Sequence, residues 1–304
     1  ITQDHLDWHE TLSAYSAAKT NVYGRDGLML LNRDDALVMA ALSVPVAPAV
    51  SAKAAKGKST KSTKSTRSFV TFGGGEPQRP GDWGIETVNG MAWLVRALEA
   101  EKTDVSLHIQ RLMPLEALRI RGRHNATNAL AALGLAVAAG CTLAPMLYGL
   151  REYRGEPHRV ESIGAIDGVE YFDDSKGTNV GATAAALAGL GAERQLVLIL
   201  GGVGKGQDFS PLAEPVARHA RAVVLIGRDA PLIRAALQNC AVTLLDAASM
   251  AEAVNLAAAQ ARSGDAVLLS PACASFDMFD DYAHRAKVFC DAVQTLAQDR
   301  GALL

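Results

Sequence analysis

The chain reads Phe172-Asp173-Asp174-Ser175-Lys176-Gly177-Thr178-Asn179 at the point where an apolar run that starts at Val169 ends. Two carboxylates, a hydroxyl, an ammonium and a residue suited to a helix N-cap therefore follow a predicted buried strand. Ligand sites of α/β proteins are built in this way, because polar groups gather where a strand stops and the next helix offers free N–H groups. A solvated loop with a capping Thr178 or Asn179 is the alternative interpretation of this stretch taken alone.

The sequence around this stretch alternates between short apolar runs and helical segments. The runs are rich in Val, Leu and Ile without polar alternation, which is typical of strands buried on both faces of a largely parallel sheet. The predicted fold class is therefore α/β. The predicted strands are residues 195–200, 222–226, 241–245 and 266–270, and the predicted helices are residues 178–189, 210–219, 229–237, 248–262 and 280–297.

The first half of the chain has a weaker pattern. Residues 51–68 are of low complexity, with Lys-Ser-Thr repeated from Lys58 to Thr66, which predicts a mobile surface loop. The break at Gly155-Glu156-Pro157 is the predicted domain boundary, which divides the chain into residues 1–156 and 157–304. Before the boundary, the pattern predicts a helix ending near Lys19, strands at 28–31, 69–72, 92–95 and 105–109, and helices at 34–42, at 129–139 and up to about 153.

Composition and charge exclude several classes of protein. The chain has 30 basic and 32 acidic side chains and a net charge of −2, so no global signal points to nucleic acid or to an anionic membrane. Pro45 and Pro48 interrupt the longest uncharged run, which is therefore not a membrane span. The four cysteines are widely spaced, which indicates reduced thiols in a cytoplasmic protein. The chain starts at Ile1 in polar, motif-like sequence, so we expect it to be part of a longer protein.

Two further polar clusters follow predicted strands. Residues 201–209 contain four glycines and Lys205, and glycines let a backbone approach an anion closely. Residues 270–277 contribute small residues and hydroxyls before the last helix, again suited to a carboxylate or a phosphate. A lone glycine-rich turn is more often structural than functional. A nucleophilic Cys273 is a further reading, but no His stands at an expected motif position.

The candidate ligand-binding residues before and just after the predicted boundary are far apart in the sequence. His5 lies between Asp4 and Asp7, so it is either a loop histidine or a ligand of a divalent cation. Asn125 and Asn128 open a predicted helix, where they would cap it or grip a nucleotide. Arg159 follows the predicted boundary, where a guanidinium could reach a phosphate held by the other domain.

Seven short motifs of the chain, listed at the end of this paragraph, occur in the same order as in the Mur ligases of peptidoglycan synthesis, and the chain resembles that family. The resemblance spans nearly the whole chain outside residues 43–118. The last motif, together with Phe279 and Tyr282, is similar to that of family members that add D-glutamate. The seven motifs are Asp4-His5-Leu6-Asp7, Tyr15 to Lys19, His124 to Asn128, Pro157-His158-Arg159, Asp173 to Asn179, Gly201 to Phe209, and Ser270 to Asp277.

The resemblance implies a domain organisation and an activity. Residues 1–156 would be the later part of a central ATPase-type α/β domain, and residues 157–304 a Rossmann-like C-terminal domain that binds D-glutamate and closes the ATP site. The parent would be a cytoplasmic, monomeric ligase that uses ATP and Mg²⁺ to join D-glutamate to UDP-N-acetylmuramoyl-L-alanine through an acyl phosphate. These residues contain no counterpart of the family's UDP-binding domain, P-loop or early metal-binding Glu, so we expect them to be inactive alone.

The resemblance also implies roles for individual residues. The catalytic set would be Lys19, His5 and Lys176, with His5 as a ligand of one Mg²⁺ and a carbamylated Lys19 supporting a second. Four residues would hold the nucleotide, namely Asn125, Asn128, Arg159 and Asp174. Six residues would hold D-glutamate and the developing intermediate, namely Lys176, Thr178, Lys205, Ser275, Phe276 and Tyr282. The family often has a phenylalanine where Tyr282 stands.

Three alternatives remain open at this point. A sibling Mur ligase or a folylpolyglutamate synthase would add a different amino acid, although the Asp-Asn-Pro-Arg motif of the meso-diaminopimelate-adding sibling is missing from the sequence. A truncated, non-catalytic ligand-binding module would retain the amino-acid site without turnover. A dinucleotide-dependent dehydrogenase is the weakest alternative, because no G-x-G-x-x-G follows any predicted strand.

Overall fold

The computed structural model describes residues 1–24, 27–43, 67–100, 107–120, 122–192 and 194–302. These residues form two compact units. The first unit comprises Ile1, Ser13–Ala117 and Thr127–Leu150, and the second comprises Thr2–Leu12, Leu118–Ala126 and Arg151–Leu304. Residues 51–66 of the predicted low-complexity loop lie outside the described ranges. The boundary predicted between residues 156 and 157 stays a prediction.

The first unit contains a five-stranded mixed sheet. Its strands follow one another in chain order, β1 (Met29–Asn32), β2 (Phe69–Phe72), β3 (Trp83–Val88), β4 (Met91–Leu98) and β5 (His108–Pro114). The first three are parallel, and the last two join as antiparallel neighbours. Asn89 and Gly90 link β3 to β4 at positive φ, which a two-residue hairpin of this kind requires. The sequence pattern had not predicted β3.

The described residues of the first half contain five α-helices. They are α1 (Leu6–His9), α2 (Leu12–Lys19), α3 (Ala36–Met39), α4 (Arg123–Ala138) and α5 (Leu143–Glu152). The predicted helix that ends near Lys19 is therefore present as α2. Asp35 caps α3 by accepting hydrogen bonds from the N–H groups of Leu37 and Val38, which satisfies donors that the helix leaves unpaired.

The second unit is built on a six-stranded sheet. Its strands are β6 (Glu161–Ile166), β7 (Val169–Asp173), β8 (Leu196–Gly201), β9 (Ala220–Ile226), β10 (Thr243–Asp246) and β11 (Ala266–Leu269). The spatial order is β10-β9-β8-β11-β7-β6, and all neighbours are parallel except β6 and β7. The predicted α/β class with a largely parallel sheet is thereby confirmed. The antiparallel edge strand β6 was not predicted.

Helices cover both faces of this sheet. They are α6 (Val180–Leu190), α7 (Ala213–His219), α8 (Ala230–Leu237), α9 (Met250–Gln260) and α10 (Tyr282–Asp299). Along β8, Leu198 and Leu200 pack in one core with α6, α7 and α8, whereas Val197 and Ile199 pack in the other core with α9 and α10. This two-sided burial explains why the strand has no polar alternation. Among the described helices, none is both long and apolar enough to cross a membrane.

Candidate functional site

The strand order brings three loops of the second unit to one edge of the sheet. β11 lies between β7 and β8, and Leu269 is in register with Asp173 on one side and with Ile199 on the other. The three parallel strands therefore end side by side. The loops that follow them, residues 174–179, 202–209 and 270–281, contain the three polar clusters predicted from the sequence. Ligands of parallel sheets bind at this carboxyl edge.

Asp173 is the last residue of β7 and is fully buried. Its carboxylate accepts a hydrogen bond of 2.9 Å from the Ser175 N–H and lies 2.7 Å from Nδ1 of His158. Burial raises the pKa of Asp173, although the hydrogen bonds from His158 and from the Ser175 N–H oppose this rise. Glu161, Asp173 and His158 form a group of potential metal ligands within 4.8 Å of one another, and this group does not include His5.

Asp174 is only 6% exposed and lies beside the loop that follows β11. The Ser270 hydroxyl donates to the Asp174 carboxylate at 2.6 Å, and the Asp174 N–H donates to the Leu269 carbonyl at 2.7 Å. Burial raises the pKa of Asp174 to about 7, a rise that the hydrogen bond from Ser270 and the charge of Arg159 only partly oppose. This carboxyl group therefore changes charge near neutral pH.

Lys176 is exposed, and its backbone and ammonium are both held. Its N–H donates to the His158 carbonyl at 3.1 Å. Its ammonium donates to the Tyr282 hydroxyl at 3.0 Å and lies 4.4 Å from the centre of the same ring. The Ser175 hydroxyl donates to the Tyr282 carbonyl at 2.9 Å, which attaches the loop to the first turn of α10.

The glycine-rich loop after β8 is fixed by contacts with its neighbours. Val203 and Ala274 form an isolated antiparallel bridge, which ties this loop to the one after β11. Gly202 lies at φ 128°, and a Cβ on it would come within 2.2 Å of the Ala274 carbonyl, so glycine is required there. The Gly204 N–H donates to the Asp229 carboxylate at 2.7 Å. The next residue, Lys205, is exposed.

A pocket in the second unit brings three of the predicted site residues together. His5, Thr178 and Lys205 all line it. The residues that line the pocket are Gln3, Asp4, His5, Leu6, Thr178, Gly204, Lys205 and Gln207. The Thr178 hydroxyl and the Lys205 ammonium together suit an anionic ligand.

Three side chains that are not among the predicted site residues, those of Gln207, Asn179 and Asp4, connect the elements around this pocket. Gln207 accepts from the Val180 N–H at 2.9 Å and donates to the Ala272 carbonyl at 2.8 Å, so it connects α6 to the loop after β11. Asn179 caps α6 by accepting from the Ala182 N–H, and its amide donates to the Asp4 carboxylate at 3.0 Å. Asp4 also lies 3.7 Å from Nε2 of His5. A carboxylate and an imidazole are both ligands of divalent cations, so this pair fits the predicted metal site.

The remaining predicted site residues are more widely distributed. Asn125 and Asn128 lie in the first two turns of α4, and a spacing of three residues places them on one helix face. Lys19 ends α2, is exposed, and has its ammonium 5.2 Å from the centre of the Tyr15 ring. Lys19 and Asn128 belong to the first compact unit, whereas all the other predicted site residues belong to the second.

The loop after β11 carries the last predicted residues. Ser275 is buried, whereas the Phe276 side chain is 73% exposed. The last helix, predicted for residues 280–297, is present as α10, which begins at Tyr282 and is capped by Asp281. Cys273 is fully buried, and burial raises the pKa of its thiol to about 12. This thiol is not ionised at neutral pH, which disfavours the reading of Cys273 as a nucleophile.

Arg285 is a buried residue of this region that the sequence analysis missed. Its guanidinium donates to the Ser175 hydroxyl at 2.9 Å, to the Ser175 carbonyl at 2.7 Å and to the Cys273 carbonyl at 3.0 Å. Burial lowers the pKa of Arg285 to about 10. A sequence signal existed, because Arg285 stands four and eight residues before Phe289 and Val293 on the buried face of α10.

Comparison with protein families gives two matches, each to a different domain of the Mur ligases. Residues 1–136 match the Mur ligase middle domain, and residues 158–273 match the Mur ligase glutamate ligase domain.

Curated relatives agree with these matches. The chain is 72% identical over 311 residues to a UDP-N-acetylmuramoylalanine–D-glutamate ligase of Polaromonas sp. strain JS666, covering 100% of this chain and 51% of that protein. It is 64% identical to a protein of the same name from Albidiferax ferrireducens, covering 99% of this chain and 59% of the relative. The chain thus spans about half the length of the curated relatives it matches.

Solved structures of low sequence identity share the fold. MurF from Acinetobacter baumannii matches with a TM-score of 0.62 at 18% identity, covering 97% of this chain and 58% of that one. MurC from Thermotoga maritima matches with a TM-score of 0.57 at 17% identity, covering 96% and 58%. Escherichia coli FolC in complex with DHPP and ADP matches with a TM-score of 0.56 at 12% identity, covering 99% and 60%. At these identities the likeness concerns the fold alone.

Proposed function

The chain belongs to the Mur ligase family, and from that premise we propose that it forms the D-glutamate site and part of the ATP site of a UDP-N-acetylmuramoyl-L-alanine–D-glutamate ligase. The two relatives described above carry this activity in their names. The observation that carries the proposal is the pocket that His5, Thr178 and Lys205 line at the carboxyl edge of the second sheet.

The proposed reaction forms an amide bond in two steps. A carboxylate oxygen of UDP-N-acetylmuramoyl-L-alanine takes the terminal phosphoryl group of ATP, which gives an acyl phosphate and ADP. The amine of D-glutamate then attacks the acyl carbon, loses a proton and displaces phosphate. When bound, ATP supplies the activating phosphoryl group and Mg²⁺ neutralises the negative charge that collects there. The protein's own contribution is positioning and charge stabilisation.

D-Glutamate carries two carboxylates, and we assign them to two cationic groups of the second unit. Lys205 lines the pocket, and Lys176 is fixed by Tyr282 on the neighbouring loop. The Thr178 hydroxyl would donate a hydrogen bond to the amino acid. Ser275 and Phe276 on the loop after β11 complete the proposed set, because the bridge between Val203 and Ala274 holds that loop beside the glycine-rich one.

The nucleotide and metal roles follow from the family. We assign the nucleotide to Asn125, Asn128, Arg159 and Asp174, and one Mg²⁺ to His5 beside the Asp4 carboxylate. A carbamylated Lys19 would support a second Mg²⁺. We place the active parent in the cytoplasm as a monomer, with residues 1–156 in its central domain and residues 157–304 in its C-terminal domain.

Binding of amino acids to the 304-residue chain tests this function. We expect D-glutamate to raise the melting temperature, whereas L-glutamate, L-alanine and meso-diaminopimelate at the same concentration should not. The Lys205→Ala variant should lose the D-glutamate response. Stabilisation by another amino acid, without a response to D-glutamate, would reassign the chain to a sibling ligase.

The alternative of a non-catalytic module is favoured by one observation, the coverage of about half of each relative. Phosphate release with UDP-N-acetylmuramoyl-L-alanine, ATP and D-glutamate separates the two functions. We expect no release by residues 1–304 alone and release by a longer parent that contains them. Turnover by the 304-residue chain would contradict this expectation, and an inactive parent would favour the non-catalytic module.

A further inference from the structure

The Arg285 side chain is a buried cation whose three hydrogen-bond acceptors are neutral oxygens. It is 1% exposed, and its acceptors are the Ser175 hydroxyl, the Ser175 carbonyl and the Cys273 carbonyl. Among the described residues, no ion pair with a carboxylate includes it. Burying a cation that has no ion-pair partner costs free energy, which these three charge-assisted hydrogen bonds and the charges of Asp173, Asp277 and Asp174 offset only in part. A hydrophobic residue of similar volume would fill the same space, so packing alone does not account for the arginine.

The two loops that Arg285 joins carry the proposed ligands of the amino acid. Ser175 directly precedes Lys176 on the loop after β7. Cys273 stands two residues before Ser275 on the loop after β11. These loops meet at a second contact, where the Ala272 N–H donates to the Gly177 carbonyl at 2.9 Å. The planar guanidinium can hold acceptors from both loops at once in a fixed geometry.

The same helix also contacts Lys176 directly. Tyr282 lies three residues before Arg285 on α10, and its hydroxyl accepts from the Lys176 ammonium. Its carbonyl accepts from the Ser175 hydroxyl, which in turn accepts from Arg285 Nε. A continuous chain of hydrogen bonds therefore runs from Arg285 through Ser175 to Tyr282, and Tyr282 holds the Lys176 ammonium.

We propose that Arg285 is a positioning residue for the incoming amino acid: it fixes the spacing between Lys176 and Ser275, and thereby sets the affinity of the site for D-glutamate. The claim that Arg285 sets the affinity for D-glutamate rests on the proposed function. The claim that Arg285 fixes the spacing between the two loops does not depend on that function. Arg285 itself does not touch the ligand in this assignment.

Two substitutions and one matched control test this role in the 304-residue chain. Arg285→Met keeps much of the volume and removes all three hydrogen bonds. Arg285→Lys retains a donor that can reach one loop but cannot bind both as a guanidinium does. The control is Arg221→Met, because Arg221 pairs with Asp265 at 2.5 Å and 3.0 Å at the opposite, amino edge of the same sheet. This control removes an arginine from the same domain without touching the site.

The first measurement is the dissociation constant of D-glutamate by calorimetry, at a temperature where circular dichroism shows each variant to be folded. We expect a rise of about tenfold or more for Arg285→Met, a smaller rise for Arg285→Lys, and no change for Arg221→Met even if that variant is less stable. An unchanged constant in folded Arg285→Met would overturn the proposal. The ordering of the two Arg285 variants is the readout that a purely structural role would not produce.

The second measurement is amide hydrogen exchange, which needs no ligand. We expect faster exchange in both Arg285 variants at the N–H groups of Lys176, Gly177, Ala272 and Ala274, with little change in β9 and α9. If the unsubstituted chain does not bind D-glutamate, the proposed function is contradicted. In that case hydrogen exchange alone tests whether Arg285 positions the two loops. Unchanged exchange in these two loops would overturn it. If Arg285→Met does not fold, the same two measurements on Arg285→Lys decide, since any role in positioning must still appear there.

Discussion

The hydroxyl oxygen of Tyr282 lies 3.0 Å from the ammonium nitrogen of Lys176, and that nitrogen lies 4.4 Å from the centre of the Tyr282 ring. One aromatic side chain therefore offers both a hydrogen-bond acceptor and a π face to the same cation. Each interaction limits where the ammonium can move. The Lys176 ammonium is thus ordered in the absence of a ligand, which would lower the ordering cost of the proposed binding of D-glutamate.

Substitution of Tyr282 separates these two contributions. Tyr282→Phe keeps the ring and loses the hydroxyl, so we expect the dissociation constant of D-glutamate to rise by about twofold to threefold. Tyr282→Ala loses both and should raise it by about tenfold or more. Calorimetry on the 304-residue chain measures both values. Equal effects of the two substitutions would mean that the ring contributes nothing beyond its hydroxyl.

Lys205→Ala should weaken the binding of D-glutamate more than the binding of ATP. Lys205 lines the pocket proposed for the amino acid and is exposed there, so its loss removes one charge that faces a carboxylate. In a catalytically active parent, we expect the KM for D-glutamate to rise by about tenfold or more and the KM for ATP to change by less than about twofold. Lys287→Ala is the control, because Lys287 pairs with Asp291 on the exposed face of α10. A larger rise in the KM for ATP than in the KM for D-glutamate would mean that the loop carrying Lys205 belongs to the nucleotide site.

Asp174→Asn should stabilise the chain in a way that depends on pH. The pKa of Asp174 is raised from 3.8 to about 7 in the folded state, so folding favours the protonated carboxyl group. Its favourable contribution is complete below about pH 4 and is lost as the pH rises to about 7. The uncharged Asn escapes this loss. We expect a gain on the order of 2–4 kcal/mol at pH 8 and almost none at pH 4.

Urea unfolding of both chains between pH 4 and pH 8 provides the measurement for Asp174→Asn. The difference between the two free energies of unfolding should grow with pH and level off above about pH 7. Asp291→Asn is the control, since the exposed Asp291 carboxylate faces Lys287 and should not gain stability on neutralisation. A difference for Asp174→Asn that does not change with pH would contradict the raised pKa.

Lys19→Ala should abolish turnover in an active parent, and a short-chain carboxylic acid should restore part of it. The added acid would replace the carboxylate that carbamylation places on Lys19. Lys19 lies at the end of α2 in the first unit and is exposed. Phosphate release with and without added acid is the assay. An activity loss that no acid restores would leave the carbamate without support.

The sequence was most informative where local chemistry decides the structure. The strand ending at Asp173 and the helix capped by Asn179 were predictable, because a buried apolar run and a capping amide act over a few residues. The glycine-rich loop was predictable for the same reason. The positions of these polar segments after predicted strands indicated that a ligand site lies at the carboxyl edge of the sheet.

The sequence was least informative where contacts between residues far apart in the chain determine the structure. Trp83–Val88 became a strand by pairing with β4 across Asn89-Gly90, a hairpin signal that the sequence analysis overlooked. Glu161–Ile166 has exposed positions typical of an edge strand, and its pairing with β7 is a tertiary event. Arginine is usually exposed, so the sequence analysis did not select Arg285, although its spacing to Phe289 and Val293 places it on the buried face of α10. Only the packing of α10 turns it towards Ser175 and Cys273.

The position of β11 has a consequence for how this half of the molecule can be made and shortened. Of the strands that the structure describes, β11 comes last in the sequence, yet it lies inside the sheet with β7 and β8 on its two sides. During synthesis, the three loops of the site cannot assemble until residues 266–269 have left the ribosome and inserted between strands that were made earlier. A deletion from the carboxyl terminus that removes Ala266–Leu269 would therefore split the sheet in two, instead of shortening it at one edge.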